Sequence, residues 1–268
     1  MEALKVARPR DKVSNVGTVE GTTEFVTRDG DRTLTVAGGT EIGRRYRANF
    51  DVLHLGDDPV LAVVADGMGD SEGSAVASRT AVDVVVAALR AAHRPFGPAT
   101  IRDAVGAAQQ RVRAAGERLD SLTGCTLTAF VPDGDGAAWI AQIGDSRAYR
   151  LRDGLLELLT VDHTAAWLGA VYGWYPADSR QAAAARYMLH RFLGHPDSPE
   201  PDVLNVTLRP GDVYCLCTDG VAEQVSYERL QQVLGSGDRP GEMVAALLAD
   251  TLAAGGHDNA TLAILQIT

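Results

Sequence analysis

The sequence predicts a β-sandwich with helices packed outside it, built as one domain. The hydrophobic patterns run in the order strands, two helices, many strands, two helices, one strand. That order differs from the strand–helix alternation of a parallel α/β fold. The chain has 268 residues, of which 46% are hydrophobic, enough for a sizeable core. No internal repeat, low-complexity tract or linker divides it.

Residues 1 to about 31 are polar, rich in Thr, Gly and charge, with weak periodicity. They read as an irregular leader, and residues 32–268 as the folded domain. Strand-like runs then begin with LTVAG from Leu34, FDVLHL at 50–55 and VLAVVA at 60–65. GDDP between the last two has the composition of a hairpin turn. A long helix follows in SAVASRTAVDVVVAALRAAH, rich in Ala and Leu without internal Pro or Gly, with Ser71 or Ser74 as its cap. A second helix is expected over about 99–120. There Ile101, Val105, Ala108, Val112, Ala115 and Leu119 recur at helical spacing along one face, a core stripe.

Strands return in CTLTAFV at 125–131 and AAWIAQIG at 137–144, around the turn PDGDG. RAYRLRDG and LLELLT make another pair around Asp153 and Gly154. The segment 163–193 differs. Alanine-rich pieces suggest short helices, Gly169, Gly173 and Pro176 interrupt them, and Trp167, Tyr172, Trp174 and Tyr175 cluster there. It reads as an insertion lying over the surface. VLNVTL, VYCLCTDG, two helices at about 226–234 and 240–253, and a last strand in NATLAILQI complete the chain.

The formal charge of −10 argues against a nucleic-acid partner, which would need a basic face. Three cysteines leave one unpaired in any disulfide scheme, and Cys215 and Cys217 lack C-x-x-C spacing. All three read as core residues in a reducing compartment. MEALKVARPRDKV lacks the apolar core of a signal peptide, and no run approaches the ~20 apolar residues of a membrane span. The expected location is the cytoplasm, with no membrane partner.

The chemistry concentrates in LAVVADGMG at 61–69. A β-branched run ends in Asp66, and Gly67 and Gly69 let the backbone turn at once. The Asp66 carboxylate and the next carbonyl should both be exposed at a rigid strand end. Asp145 in AQIGDSR, Asp219 in YCLCTDG and Asp258 in GGHDN follow strand-like runs in the same way. A single D-G is ordinarily just a turn; four such acids suggest convergence on divalent ions. An all-oxygen donor set favours hard ions such as Mg²⁺ or Mn²⁺ over zinc. The six histidines show no paired metal-binding spacing, and His163 and His257, each beside an aspartate, read as structural or surface residues. Two hard ions about 3.5–4 Å apart suit phosphate-ester hydrolysis, in which they activate a shared water and neutralise phosphate oxygens.

At these residues the chain resembles the metal-dependent protein phosphatases, the type-2C or PPM family, in its bacterial branch. The resemblance runs from about residue 43 to the C-terminus. It rests on Asn49 and Asp51 in N-x-D, VADGMG at 64–69, GCTLTAF at 124–130, IGDSRAYRLRDGLLELLTVDHT at 143–164, GDVYCLCTDG at 211–220 and GGHDNATLAIL at 255–265, in the family's order. It implies an α+β fold, a four-layer αββα sandwich of two antiparallel sheets flanked by helix pairs. It also implies a phosphoserine/phosphothreonine protein phosphatase using two Mn²⁺ or Mg²⁺ ions, with a third, weaker ion site. Asp66 then matches the bridging ligand, Gly67 supplies a carbonyl to the second ion, and Asp219 and Asp258 complete the first. Asp145 with Asp219 matches the third site, and Asp51 matches the acid that supports the metal-bound waters. Residues 165–190 correspond to the flap, which touches substrate in this family. The implied partner is a phosphorylated protein, the product of a serine/threonine kinase, and a monomer is expected.

Two departures stand out. The family's N-E-D is here Asn49, Phe50 and Asp51, which removes a glutamate that helps hold the second ion. Tyr46 stands where the family carries its phosphate-binding arginine, between Arg45 and Arg47. Either arginine is a candidate for that role, although strand alternation would put both on the face opposite Tyr46. Asp70 replaces a common glycine in the turn into the helix. Two alternatives remain at this stage: a phosphatase of a small phosphorylated metabolite, and a pseudo-phosphatase that binds a phosphorylated partner.

Overall fold

The computed structural model of the chain describes residues 22–119 and 121–268. In chain order the elements are β1 (Thr22–Asp29), β2 (Arg32–Glu41), β3 (Val52–Asp57), β4 (Val60–Ala65), α1 (Glu72–Ala91), α2 (Pro98–Gly116), β5 (Leu127–Pro132), β6 (Ala137–Ile143), β7 (Arg147–Arg152) and β8 (Leu155–Leu158). They continue with α3 (Ala165–Val171), α4 (Arg180–Ala185), β9 (Asp202–Thr207), β10 (Val213–Cys217), α5 (Asp219–Ala222), α6 (Tyr227–Leu234), α7 (Pro240–Ala253) and β11 (Ala260–Ile267). One sheet has the order β1-β2-β11-β10-β7-β8 and the other β3-β4-β5-β6-β9. Every pairing is antiparallel.

The continuous apolar runs are explained by burial on both faces. Along β4, Leu61, Val63 and Ala65 pack with α1 and α2, while Val60, Ala62 and Val64 enter the core between the sheets. Along β10, Val213, Cys215 and Cys217 face α6 and α7, while Tyr214 and Leu216 turn inward. Phe130 and Tyr214 meet across the sandwich with ring centroids 4.8 Å apart. The layers are therefore helix, sheet, sheet, helix, the αββα sandwich expected.

Ser71 caps α1 in a reciprocal box with Ser74, and Pro98 and Pro240 open α2 and α7. The second helix stops at Gly116, so Leu119 lies beyond the stripe predicted for it. The larger correction is at the start. The expected leader through residue 31 contains a full strand, β1, paired along its length with β2; residues 1–21 lie outside the described residues. Its buried positions are mostly polar, which hid it. Glu24 is paired with Arg239 and accepts the Gly241 N–H at 2.7 Å, and Asp29 is held by Arg94 at 2.5 Å. The residues between β2 and β3 form turns rather than a strand, so the alternation argument for Arg45 and Arg47 does not apply.

Phe130 is fully buried at the centre of the sandwich, whereas Val26 on edge strand β1 is 54% exposed. Phe130→Ala should lose about 3–5 kcal/mol of unfolding free energy. Val26→Ala should change it by less than about 0.5 kcal/mol, both read by denaturant titration.

Candidate active site

The topology collects the acids. β4 and β6 both flank β5 antiparallel, so their C-terminal ends lie at one edge, carrying Asp66 and Asp145. In the other sheet β10 ends where its neighbour β11 begins, which places Asp219 beside Asp258. All four aspartates and Gly67 line one cavity of about 540 Å³, together with Arg45, Tyr46, Thr126, Tyr187 and Asn259.

Each acid is aimed by hydrogen bonds. The Asp66 N–H donates to Thr126 Oγ1 at 3.0 Å, and Thr126 Oγ1 meets Ser146 Oγ at 2.6 Å. The Asp66 carbonyl accepts from the Thr126 N–H at 2.9 Å. The Gly67 N–H donates to the Phe50 carbonyl at 3.2 Å. A Cβ at Gly67 would lie 2.3 Å from the Ser74 carbonyl, so only glycine lets α1 approach the turn this closely. Asp219 opens α5. The hydroxyl of the preceding Thr218 does not cap that helix and instead donates to Asp51 Oδ2 at 2.9 Å. Asp258 Oδ1 accepts its neighbour's N–H, from Asn259, at 2.8 Å.

Asn259 ties the site's two halves together. Its Oδ1 accepts the Phe50 N–H at 2.8 Å, and its Nδ2 donates to the Ile42 and Ala48 carbonyls. It thereby pins the turn carrying Arg45 and Tyr46 to the start of β11. Sequence reasoning passed over Thr126, Ser146, Thr218 and Asn259. Their signal was a polar residue inside or beside an apolar run, where burial demands a partner.

The two arginines part company. Arg45 lines the cavity, with its guanidinium 4.9 Å from the Tyr46 ring centroid; Arg47 is exposed and lies outside that lining. Tyr46 stands edge-on to Phe50 with centroids 6.0 Å apart, and Phe50 is buried. Asp51 does not line the 540 Å³ cavity but a separate hollow with Thr40, Asn49 and Arg79.

The electrostatics are one-sided. Burial, and then the charges of Asp219 and Asp258, push the Asp51 carboxyl up to about 7. Burial and Asp258 push Asp219 up to about 6. Asp66 is raised well above the carboxylate range by burial and by Asp51, Asp219 and Asp145, and its carboxyl lies within reach of a proton shared with Asp219. Asp145 is raised well above that range by burial and Asp219. Asp258 is raised by burial. Among the described residues lining the cavity, Arg45 is the one cation.

This donor set fits hard cations. It is all oxygen, it is short of positive charge, and the buried Asp51 Oδ1 and Asp219 Oδ1 have no hydrogen-bond partner. Among the described residues, however, no three His, Cys, Asp or Glu side chains already form a group that could hold an ion.

The family model for protein phosphatase 2C matches residues 48–263. The chain belongs to the protein phosphatase 2C family. Among curated relatives, the serine/threonine protein phosphatase PstP of Mycobacterium tuberculosis is 33% identical over 243 residues, covering 87% of this chain. The chain spans only 45% of that relative's length. A Listeria monocytogenes serine/threonine phosphatase, Stp, is 27% identical over 236 residues, covering 85% of this chain and 93% of its own. Among solved structures, the PstP catalytic domain in complex with two manganese ions superposes with a TM-score of 0.78 at 29% identity, over 88% of this chain and 99% of that one. The PPM Ser-Thr phosphatase MsPP of Mycobacterium smegmatis, in complex with cacodylate, gives 0.75 at 30%, over 86% and 97%.

In this protein phosphatase 2C chain the raised carboxyls make a pH signature. Folded Asp51 keeps its proton up to about 7, whereas an unfolded carboxyl loses it near about 4. Between those values the folded state binds more protons, so this group's contribution to stability falls as pH rises. Half-buried His54 and buried His163, lowered by desolvation, act in the opposite direction, so the variant difference is the clean measurement. In chelator, the stability of wild type minus that of Asp51→Asn should fall by a few kcal/mol between about pH 4 and 8, read by denaturant titration at each pH.

Proposed function

We propose that the chain is a metal-dependent phosphatase of phosphoserine and phosphothreonine in proteins. The observation that carries this reading is the convergence of four buried-edge carboxylates on one cavity whose lining holds a single cation, Arg45. Asp66 and the Gly67 carbonyl, with Asp219 and Asp258, would hold two Mn²⁺ or Mg²⁺ ions, and Asp145 with Asp219 a third. When bound, these ions supply an activated water and positive charge against the phosphate oxygens.

The chain's own residues do the rest. Arg45 stands at the cavity with its guanidinium fixed over Tyr46, and it is the side chain placed to hold a phosphate oxygen. Asp51 Oδ1, buried without a partner, is the atom placed to hold a proton near neutral pH, while Thr218 fixes the other oxygen. Thr126 and Ser146 lock the Asp66 backbone so that its carboxylate faces inward. Tyr187 and Leu189 bring the end of the flap to the cavity wall, where they bound the path of a substrate. Among the described residues no helix is long and apolar enough to cross a membrane, and all three cysteines are free and buried. The free, buried cysteines fit a reducing compartment.

Phe50 and Tyr46, at the two departures from the family pattern, favour one second reading: a weak phosphatase that serves as a phosphoprotein-binding module.

Phosphoserine and phosphothreonine peptides and an aryl phosphate, assayed with added Mn²⁺, should be turned over, and Asp66→Asn should lower kcat about 10²-fold or more. Arg45→Ala should act chiefly on KM, while Arg47→Ala leaves both constants within about 2-fold. Faster turnover of phosphorylated metabolites than of peptides would redirect the substrate assignment. Peptide binding without Mn²⁺-dependent turnover would establish the second reading.

A further inference from the structure

His163 lies between β8 and α3 and is only 2% exposed. Its main-chain N–H donates to the Gly144 carbonyl at 2.9 Å. Its ring Nδ1 accepts the Gly144 N–H at 3.1 Å. His163 therefore meets both polar groups of the Gly144 backbone, whose carbonyl also accepts from Gln142 Nε2 at 2.5 Å while, among the described residues, its N–H has the ring alone. Gly144 has φ +106°, and a Cβ there would lie 2.6 Å from Thr126, so the backbone has little freedom at this point. The next residue is Asp145.

The hydrogen bonds settle the tautomer. Gly144 can only donate, so Nδ1 must be unprotonated, and the ring proton sits on Nε2. Nε2 faces Asp202 Oδ2 at 3.1 Å. Asp202 is itself fixed, because its other oxygen accepts from Arg191 Nη2 at 2.8 Å. The same short stretch forms the base of the flap. The His163 carbonyl accepts the His190 N–H at 2.9 Å, and the Ala165 N–H donates to the Met188 carbonyl at 2.8 Å. Thr164 caps α3 through the Trp167 N–H. One residue thus ties the two ends of the flap together through its main chain, and holds the loop that presents Asp145 through its ring.

We propose that His163 is a positioning residue: its Nε2-protonated ring, fixed by Asp202, holds the Gly144 peptide and so aims the Asp145 carboxylate at the divalent cation that Asp145 shares with Asp219. This inference rests on the phosphatase reading, since it requires that Asp145 hold an ion. It assigns the ring no contact with substrate or ion. Its consequence is selective. Loss of the Nδ1 acceptor should weaken the ion site that depends on Asp145 and spare those built on Asp66 and Asp258.

The variants separate this from a purely structural role. An asparagine Oδ1 falls close to the position of the imidazole Nδ1 and can accept the Gly144 N–H. A glutamine amide reaches instead toward the Nε2 position. Mn²⁺ would be titrated calorimetrically into metal-stripped full-length protein, with a thermal melt of each variant. Asp145→Asn should remove the weakest binding step. His163→Ala and His163→Gln should weaken that step about 10-fold or more, leave the tighter steps within about 2-fold, and His163→Asn should return it to within about 3-fold of wild type. If His163→Ala does not fold, the contrast between His163→Asn and His163→Gln decides.

An unchanged weak step in folded His163→Ala, in a protein where Asp145→Asn abolishes it, overturns the coupling alone. Equal weakening in the Asn and Gln variants also overturns it, because the Nδ1 acceptor is then not the operative group. A wild-type chain that binds no Mn²⁺ overturns the phosphatase reading and this inference together.

Discussion

Like charges gathered from strand ends of both sheets, with almost no cation among them, are the constraint on which the site depends. Asp66, Asp145, Asp219 and Asp258 ring a common cavity, and burial together with mutual repulsion pushes each of them above the usual carboxylate range. Such an arrangement is unfavourable by itself. It persists because each acid is held by framework around it: a strand end, a helix start, or a hydrogen-bonded turn. The double-faced burial of β4 and β10 provides that framework, since a slip of either strand by one residue would exchange side chains between two packed cores at once and spoil the fit of both.

Much of this was legible in the sequence, and for identifiable reasons. The apolar runs ending in Asp66 and Asp219 marked buried strands followed by sharp turns, and both acids sit as read. The helix beginning at Ser71 announced its own cap. What escaped was what tertiary structure alone decides. β1 buries Thr22, Glu24 and Asp29, positions that no hydrophobic pattern reveals, and Glu24 and Asp29 are satisfied by Arg239 and Arg94 from far along the chain. Arg45 and Arg47 were weighed with strand alternation, but a turn follows no period of two, and Arg45 shares the cavity with Tyr46. Asp51 meets Thr218, the residue before Asp219, a relation 167 residues apart in sequence that no local pattern reveals.

The two departures from the family pattern prove to be neighbours. Phe50 and Tyr46 meet edge to face, and the Arg45 guanidinium lies over the Tyr46 ring. An aromatic stack thus backs the turn whose Arg45 and Tyr46 line the cavity. Burial and the nearby Asp258 raise the Tyr46 phenol, which therefore stays neutral and gives the stack no additional negative charge.

The place of β11 bears on how the molecule comes into being. This strand follows every other described element in the chain, yet it lies inside its sheet, between β2 and β10. Residue 259 at its threshold also anchors the turn at 42–50. During synthesis, the N-terminal hairpin must therefore wait on the ribosome with an open flank until some two hundred later residues have emerged. A nascent chain halted anywhere before that point lacks both a closed sheet and an assembled cavity.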